Sequence, residues 1–233
     1  MRDVVFVPGL NNTEAVFSPV LAALGDAVRP TTGTSPALET VEAVADHWLA
    51  RAPERFDLLG FSFGGYVSAT ILEKAPQRVR SLVMLFTAPH ADDEPTREQR
   101  RRGIALAEQG GYLKLIEATM PTSFHPDSLG DAALLDQRRA MLPVYGADRY
   151  VAHQRACIAR PDRTAVLAGS GKPILFVAAS HDTTFPPALM REAAARVPGA
   201  RYVEIDRAGH LAPLERPAEI AAVLRGFWAS VGE

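Results

Sequence analysis

The sequence predicts an α/β fold in which about six mainly parallel strands are flanked by helices. Short, continuous apolar runs of strand length alternate with longer segments whose apolar residues repeat at helical spacing. Gly and Pro residues follow several of these runs, which is typical of strands that end in turns. Such alternation implies right-handed crossovers between parallel strands. One long helical stretch interrupts the alternation in the middle of the chain.

The first part of the chain holds four predicted strands. Val4–Val7 is a continuous apolar run that ends at Pro8-Gly9, as expected of a buried strand. Pro76 ends the third predicted helix. In chain order, the remaining predicted elements are a helix at Phe17–Leu24, a short strand at Ala27–Pro30, a helix at Leu38–Leu49, a strand at Phe56–Leu59, a helix at Tyr66–Lys74 and a strand at Val79–Phe86.

Residues 89–171 form the helical stretch, which contains no Val- and Ile-rich run and is interrupted by prolines, among them Pro121 and Pro143. Its predicted helices are Thr96–Gln109, Tyr112–Thr119, Asp131–Met141 and Asp148–Ala159. Alternation then resumes with a strand at Pro173–Val177, a helix at Pro187–Val197, a strand at Tyr202–Ile205 and a helix at Ala218–Trp228. We therefore expect an α/β core from residues 1–88 and 172–233, and a helical cap from residues 89–171, within a single domain overall.

Composition excludes several classes of function. Hydrophobic residues make up 47% of the chain and charged residues 22%, which is enough for one full core. The net charge of -2 and the absence of a Lys- or Arg-rich run argue against nucleic acid and acidic membranes as partners. No apolar run approaches the ~20 residues of a membrane span or the pattern of a signal peptide. We expect a cytoplasmic monomer or homodimer, without an internal disulfide because Cys157 is the single cysteine.

The segment Gly60-Phe61-Ser62-Phe63-Gly64-Gly65 carries the first chemical signal. It matches the pattern Gly-x-Ser-x-Gly between a predicted strand and a predicted helix, where a sharp turn lifts the serine hydroxyl clear of the sheet. Very small neighbours are needed because the strand and the helix pack closely at such a turn. Ser62 is therefore a candidate nucleophile, and a glycine-rich turn with an idle serine is the alternative.

A serine hydroxyl needs a base within hydrogen-bond reach, and six histidines compete for this role. His210 follows the last predicted strand, in Ala208-Gly209-His210-Leu211-Ala212-Pro213. Loops that follow parallel strands open at the same edge of the sheet, so the His210 ring can reach Ser62. His47 lies in a predicted helix, and both His125 and His153 lie in the predicted cap. His210 is the candidate base.

The acid that orients the base is expected in another loop at this edge. Asp182 lies just after the strand Pro173–Val177, and the order Ser62, Asp182, His210 is the one found in enzymes with this kind of turn. An aspartate in a turn is also common as a helix cap. Asp92 and Asp93 stay open as alternatives because they follow the strand Val79–Phe86.

Backbone N–H groups are needed to hold the negative charge that develops on a carbonyl oxygen during acyl transfer. One candidate donor is the N–H of Phe63, at the start of the helix that follows the serine. The other is the N–H of Leu10, in the loop after the first strand, where Gly9 permits a tight turn. An ordinary strand-to-helix turn is the alternative interpretation of this loop.

Together these motifs resemble the α/β-hydrolase superfamily over nearly the whole chain, and most of all its compact bacterial esterase and enol-lactonase-like members. Two departures are Pro8-Gly9, where many relatives carry His-Gly, and Ala179, where a glycine usually opens the acid turn. The resemblance implies about six parallel strands without the antiparallel hairpin that opens the full fold. The segments that carry it are Val7–Leu10, Gly60–Gly65, Ala88–Pro95, Gln154 with Arg160-Pro161-Asp162, Asp182 with Pro186, and Gly209–Pro217.

The resemblance implies a serine hydrolase that cleaves a carboxylic ester or lactone of a small, largely apolar substrate through an acyl-enzyme. Acyl transfer, hydrolysis of a carbon–carbon bond by the same residues, and ligand binding without turnover remain alternatives. No metal-ligand spacing and no dinucleotide fingerprint is present, so no cofactor is expected. Four aromatic residues of the predicted cap are candidate substrate contacts: Phe124, His125, Tyr145 and Tyr150.

Overall fold

The computed structural model describes residues 1–232, in which six strands form one parallel sheet. Residue 233, the last of the predicted core, lies outside the described residues. The order across the sheet is β2-β1-β3-β4-β5-β6, and every neighbouring pair is parallel, which confirms the predicted fold class. The strands are β1 (Arg2–Val7), β2 (Val28–Thr31), β3 (Phe56–Phe61), β4 (Val79–Leu85), β5 (Ile174–Ala179) and β6 (Arg201–Ile205).

Helices cover both faces of the sheet. Within residues 1–232, none of them has the length and apolar character that a membrane span requires. The α-helices are α1 (Ser18–Leu24), α2 (Val41–Arg51), α3 (Phe63–Lys74), α4 (Glu94–Leu106), α5 (Tyr112–Ser123), α6 (Ala132–Ala159), α7 (Thr164–Gly169), α8 (Pro187–Ala195), α9 (Ala212–Glu215) and α10 (Pro217–Ser230).

Alternate residues of each strand point into two separate apolar cores. In β1, Val5 packs in the core formed with α2, α3 and α8, whereas Phe6 packs in the core formed with α1 and α10. Each core excludes water from one face of the sheet, so β1, β3, β4 and β5 are almost completely buried, as parallel strands with helices on both faces must be.

The chain reverses its direction across the sheet between β1 and β3. It moves from β1 to β2 on one side, and then returns to place β3 on the other side of β1. In open α/β sheets, ligands bind beyond the carboxyl ends of the strands at such a reversal. Leu10 follows the carboxyl end of β1 and Ser62 follows that of β3, so both lie at this point.

The helices α4 to α7 lie between β4 and β5, where the sequence predicts the insertion. One detail of that prediction is wrong. Pro121 and Pro143 lie within α5 and α6 and do not end them. The helices predicted at Asp131–Met141 and Asp148–Ala159 are confirmed as the two parts of α6, which is broken between them at Gly146, whose φ of 80° is readily available only to glycine.

The start of α3 lies unusually close to the strands beneath it. A Cβ atom added to Gly64 would stand 2.0 Å from the carbonyl oxygen of Val7, and one added to Gly60 would stand 2.4 Å from the Gly64 oxygen. Helix α3 begins at Phe63, three residues before the predicted Tyr66. Glycine is therefore required at both positions because backbone atoms fill the space of any side chain.

Changing Gly64→Ala is expected to lower the free energy of unfolding by about 3 kcal/mol or more, because the Val7 backbone cannot move aside without disturbing the sheet. The matched control is Gly226→Ala in α10, where an added Cβ meets nothing within 4 Å. A glycine in a helix interior costs roughly 0.5–1 kcal/mol relative to alanine, so this variant gains stability. Urea unfolding measures both, and similar effects at the two sites would contradict the interpretation.

Candidate active site

Ser62 occupies a sharp turn between β3 and α3. Its φ of 52° and ψ of -119° lie outside the regions that a non-glycine residue ordinarily adopts. The Ser62 N–H donates to the Leu85 oxygen at 3.0 Å and its own carbonyl accepts from Gly65 at 2.8 Å, so hydrogen bonds hold the residue in this conformation. The predicted elbow is therefore present, and it directs the hydroxyl away from the sheet.

The structure brings Ser62, His210 and Asp182 together in one line of hydrogen bonds. The distance from His210 Nε2 to Ser62 Oγ is 3.0 Å, and that from His210 Nδ1 to Asp182 Oδ2 is 2.7 Å. Because the carboxylate can only accept, Nδ1 carries a proton and Nε2 is free to accept the serine proton. Phe61 and Phe185 pack beside the imidazole with centroid distances of 5.2 and 5.9 Å.

Asp182 is fixed by the loop that carries it. Its side chain is fully buried, and Oδ1 accepts hydrogen bonds from the N–H groups of Thr184 at 2.8 Å and Phe185 at 2.9 Å. The second oxygen, Oδ2, is left for the histidine. The Asp182 carboxylate can therefore hold the imidazole in one orientation.

The two alternative aspartates are committed to other partners. Asp92 accepts from Arg100 at 2.6 Å and from Arg160 at 2.7 Å. Burial raises the pKa of Asp92, but these two arginines outweigh it and keep the pKa below its usual value. Asp93 accepts from the Thr96 N–H at 2.9 Å and caps α4. Neither aspartate forms a hydrogen bond with His210, whose Nδ1 is bound by Asp182.

The loop that carries His210 is anchored by the buried carboxylate of Glu215. One oxygen of Glu215 accepts from the Gly209 N–H and the other from the His125 N–H, both at 2.8 Å. Gly209 itself packs so closely on the cap that an added Cβ would stand 2.6 Å from the Phe124 carbonyl carbon. Glu215 therefore ties the residue before His210 to the segment after α5.

The two candidate oxyanion donors border the same space. Phe63 is the first residue of α3, so its N–H has no acceptor in a preceding helical turn. Within residues 1–232, no acceptor receives the Leu10 N–H either. A Cβ on Gly9 would stand 2.9 Å from Ser62 Cβ, which shows how closely the loop after β1 approaches the serine.

Helix α6 contacts both of these segments through two buried residues. The Tyr145 hydroxyl lies 2.5 Å from His153 Nδ1. Burial raises the pKa of Tyr145, and the neighbouring Asn11 backbone opposes this rise. His153 Nε2 donates to the Pro36 oxygen at 2.8 Å, so Nδ1 accepts from the tyrosine. The His153 ring stacks on Phe63 with centroids 4.4 Å apart. Burial lowers the pKa of His153 to about 4 and therefore favours its neutral form.

The four aromatic residues expected as substrate contacts all have partners within the protein. Phe124 is buried in the core that includes Phe61, and His125 packs edge-on to His181 with centroids 4.2 Å apart. Tyr145 is 1% exposed and supports the loop after β1, as described above. Tyr150 packs on Tyr112 in a separate apolar cluster of the insertion. Their role as substrate contacts stays a prediction.

The geometry defines a class of enzyme as well as a fold. A serine on an elbow after β3, a histidine after β6 and an aspartate after β5 are the arrangement of an α/β hydrolase. In residues 1–232 no group of three His, Cys, Asp or Glu side chains is placed to hold a metal ion. The sequence matches the alpha/beta hydrolase family over residues 4–223, and the chain belongs to that family.

Known relatives agree with this assignment and with the expected likeness to compact bacterial esterases. A pyrrolizixenacetamide deacetylase of Xenorhabdus hominickii is 27% identical and covers 96% of this chain and 84% of its own length. A pimeloyl-[acyl-carrier protein] methyl ester esterase of Stenotrophomonas maltophilia is 29% identical, covering 74% and 68%. A thermophilic esterase from Thermogutta terrifontis has a TM-score of 0.90 at 23% identity, covering 100% and 91%, which shows the same fold.

Changing Glu215→Gln is expected to lower the free energy of unfolding by about 1–3 kcal/mol, because one of two buried N–H groups then faces an amide donor instead of an acceptor. Turnover should fall as well, since the His210 loop loses its anchor. Glu219→Gln on the exposed side of α10 removes the same charge and is expected to change stability by less than ~0.5 kcal/mol. Equal effects of the two variants in urea unfolding would contradict this role.

His153 is expected to make the fold sensitive to acid. The unfolded side chain takes a proton near pH 6.5 and the folded one only near pH 4, so the unfolded state binds more protons between these values. Falling pH therefore costs up to ~3 kcal/mol of stability through this residue. In His153→Gln, the free energy of unfolding should fall less between pH 7 and pH 4 than in the wild type. Parallel pH dependences would show that this prediction is wrong.

Proposed function

We propose that this protein is a serine hydrolase that cleaves a carboxylic ester or lactone of a small, largely apolar substrate through an acyl-enzyme. The observation that carries the proposal is the position of His210, between Ser62 Oγ at 3.0 Å and Asp182 Oδ2 at 2.7 Å. Such a relay activates a hydroxyl that is otherwise a weak nucleophile. The esterase and deacetylase among the relatives support acyl-group hydrolysis as the reaction class.

In the first half of the reaction, Ser62 Oγ attacks the carbonyl carbon while its proton passes to His210 Nε2. Asp182 stabilises the imidazolium that forms. The N–H groups of Leu10 and Phe63 hold the oxyanion, and such donors contribute several kcal/mol to transition-state stabilisation. Collapse of the tetrahedral intermediate breaks the bond to the leaving oxygen, which takes the proton from His210 Nε2.

In the second half, a water molecule replaces the leaving group beside His210. His210 takes a proton from this water, the hydroxide attacks the acyl carbon, and the proton returns to Ser62 Oγ as the acid product leaves. A lactone follows the same steps, except that the leaving hydroxyl stays attached to the acyl chain. The apolar rings around His210, those of Phe61 and Phe185, favour a substrate with an apolar body.

The direct test is covalent labelling with a fluorophosphonate, which forms a stable adduct with an activated serine. We expect a single adduct in the intact mass, mapped to Ser62, and loss of both labelling and ester turnover in Ser62→Ala, by roughly 10³-fold or more in kcat. Ser180→Ala is the matched control, because Ser180 lies at the same edge of the sheet but pairs with His181. Labelling elsewhere, or turnover that survives in Ser62→Ala, would overturn the proposal.

A further inference from the structure

Arg138 in α6 is a buried cation without a buried anion. It is 5% exposed, and no Asp or Glu in residues 1–232 forms an ion pair with it. Arg160 and Arg163 are equally buried, at 3% and 5%, but pair with Asp92 and Glu42 at 2.7 and 2.6 Å. Unpaired burial lowers the pKa of Arg138 to about 10. Buried charges in proteins are ordinarily paired, so this residue is an exception in its own structure.

The guanidinium is only partly satisfied by the protein. Its Nη1 donates to the Asn11 oxygen at 2.5 Å and to Asn12 Oδ1 at 3.1 Å. No acceptor in the described chain receives a hydrogen bond from Nε or Nη2 of Arg138. Nη1 therefore binds the loop after β1, while Nε and Nη2 can donate hydrogen bonds to a ligand.

Two further polar groups around Arg138 also lack partners. The Tyr112 hydroxyl and Asn11 Oδ1 are buried, and neither makes a hydrogen bond within residues 1–232. Burial raises the pKa of Tyr112, and the positive charge of nearby Arg138 opposes that rise. Guanidinium and phenol groups are both donors that suit an anion. Because Asn11 is the residue after Leu10, these groups lie beside the proposed oxyanion loop.

We propose that Arg138, assisted by Tyr112, binds a carboxylate at the far end of the substrate's acyl chain. A carboxylate would accept two parallel hydrogen bonds from the guanidinium and one from the phenol, and would supply the missing negative charge. The acyl part is the portion that stays beside the oxyanion loop through both halves of the reaction. This inference rests on the proposed function and refines it, from a largely apolar ester to one with an anionic end.

The test compares two series of methyl esters by the rate of methanol release. One series is the monomethyl esters of succinate, glutarate and adipate, which end in a carboxylate. The other is the methyl esters of the corresponding half-amides, which have the same length and shape but end in a neutral carboxamide. At one chain length or more, the wild type should show kcat/KM about 10- to 100-fold higher for the carboxylate.

In Arg138→Met the ratio of the two kcat/KM values should fall to about one, whatever happens to each value separately. Arg139→Met is the matched control: Arg139 is the next residue of α6, is half exposed and pairs with Glu117 and Asp136, so its loss should leave the ratio unchanged. If Arg138→Met fails to fold, Tyr112→Phe replaces it, since it removes only a hydroxyl without a partner. That variant should lower the ratio about 3- to 10-fold.

A wild-type ratio near one at all three chain lengths would overturn the inference, as would an equal fall of both kcat/KM values in Arg138→Met. In either case, if the wild type releases methanol from the half-amide methyl esters and Ser62→Ala does not, the proposed function as a serine hydrolase is still supported. Release that persists in Ser62→Ala would instead remove the proposed function, and this inference with it.

Discussion

The contact between α3 and the carboxyl ends of β1 and β3 is the constraint on which the site depends. Gly60 and Gly64 let backbone meet backbone there, and the chain can pass from strand to helix in a single residue only because of this contact. Ser62 is that residue, and it accepts an unfavourable backbone conformation. Packing on both faces of the sheet supplies the stability that offsets this local strain.

The remaining parts of the site are held by hydrogen bonds from backbone N–H groups to two buried carboxylates. The Thr184 and Phe185 amides orient Asp182, and Glu215 receives the amide of Gly209. Both carboxylates are buried, so these contacts hold the two loops, and the line of hydrogen bonds through His210, in place. Groups that are already in place need no reorganisation at the moment of reaction.

The sequence predicted the sheet, Ser62 and His210, because parallel strands place all their following loops at one edge. It did not separate Asp182 from Asp92 and Asp93, which also follow a strand; the hydrogen bonds in the structure do. Ser62, Asp182 and His210 each follow the carboxyl end of a strand. Their meeting at one edge can therefore be predicted without any distance between them. Glu215 was missed, although it lies in the quoted segment Gly209–Pro217, because a glutamate before a helix looks like an ordinary surface residue.

Arg138 and the pair formed by Tyr145 and His153 could not be found from the sequence for a different reason. Their partners lie far away along the chain, as the 127-residue separation of Arg138 and Asn11 shows. Helical spacing predicts which face of a helix is buried, but it cannot tell which distant backbone atom will meet that face.

Helix α6 belongs to the inserted segment, yet it touches the loop after β1 through Arg138 and Tyr145 and the start of α3 through His153. Substitutions in this segment are therefore expected to affect the geometry of the site as well as the choice of substrate. A chimaera that carried another family member's insertion would have different contacts to the proposed oxyanion donors. Its choice of substrate and the speed of its bond-breaking step would change together.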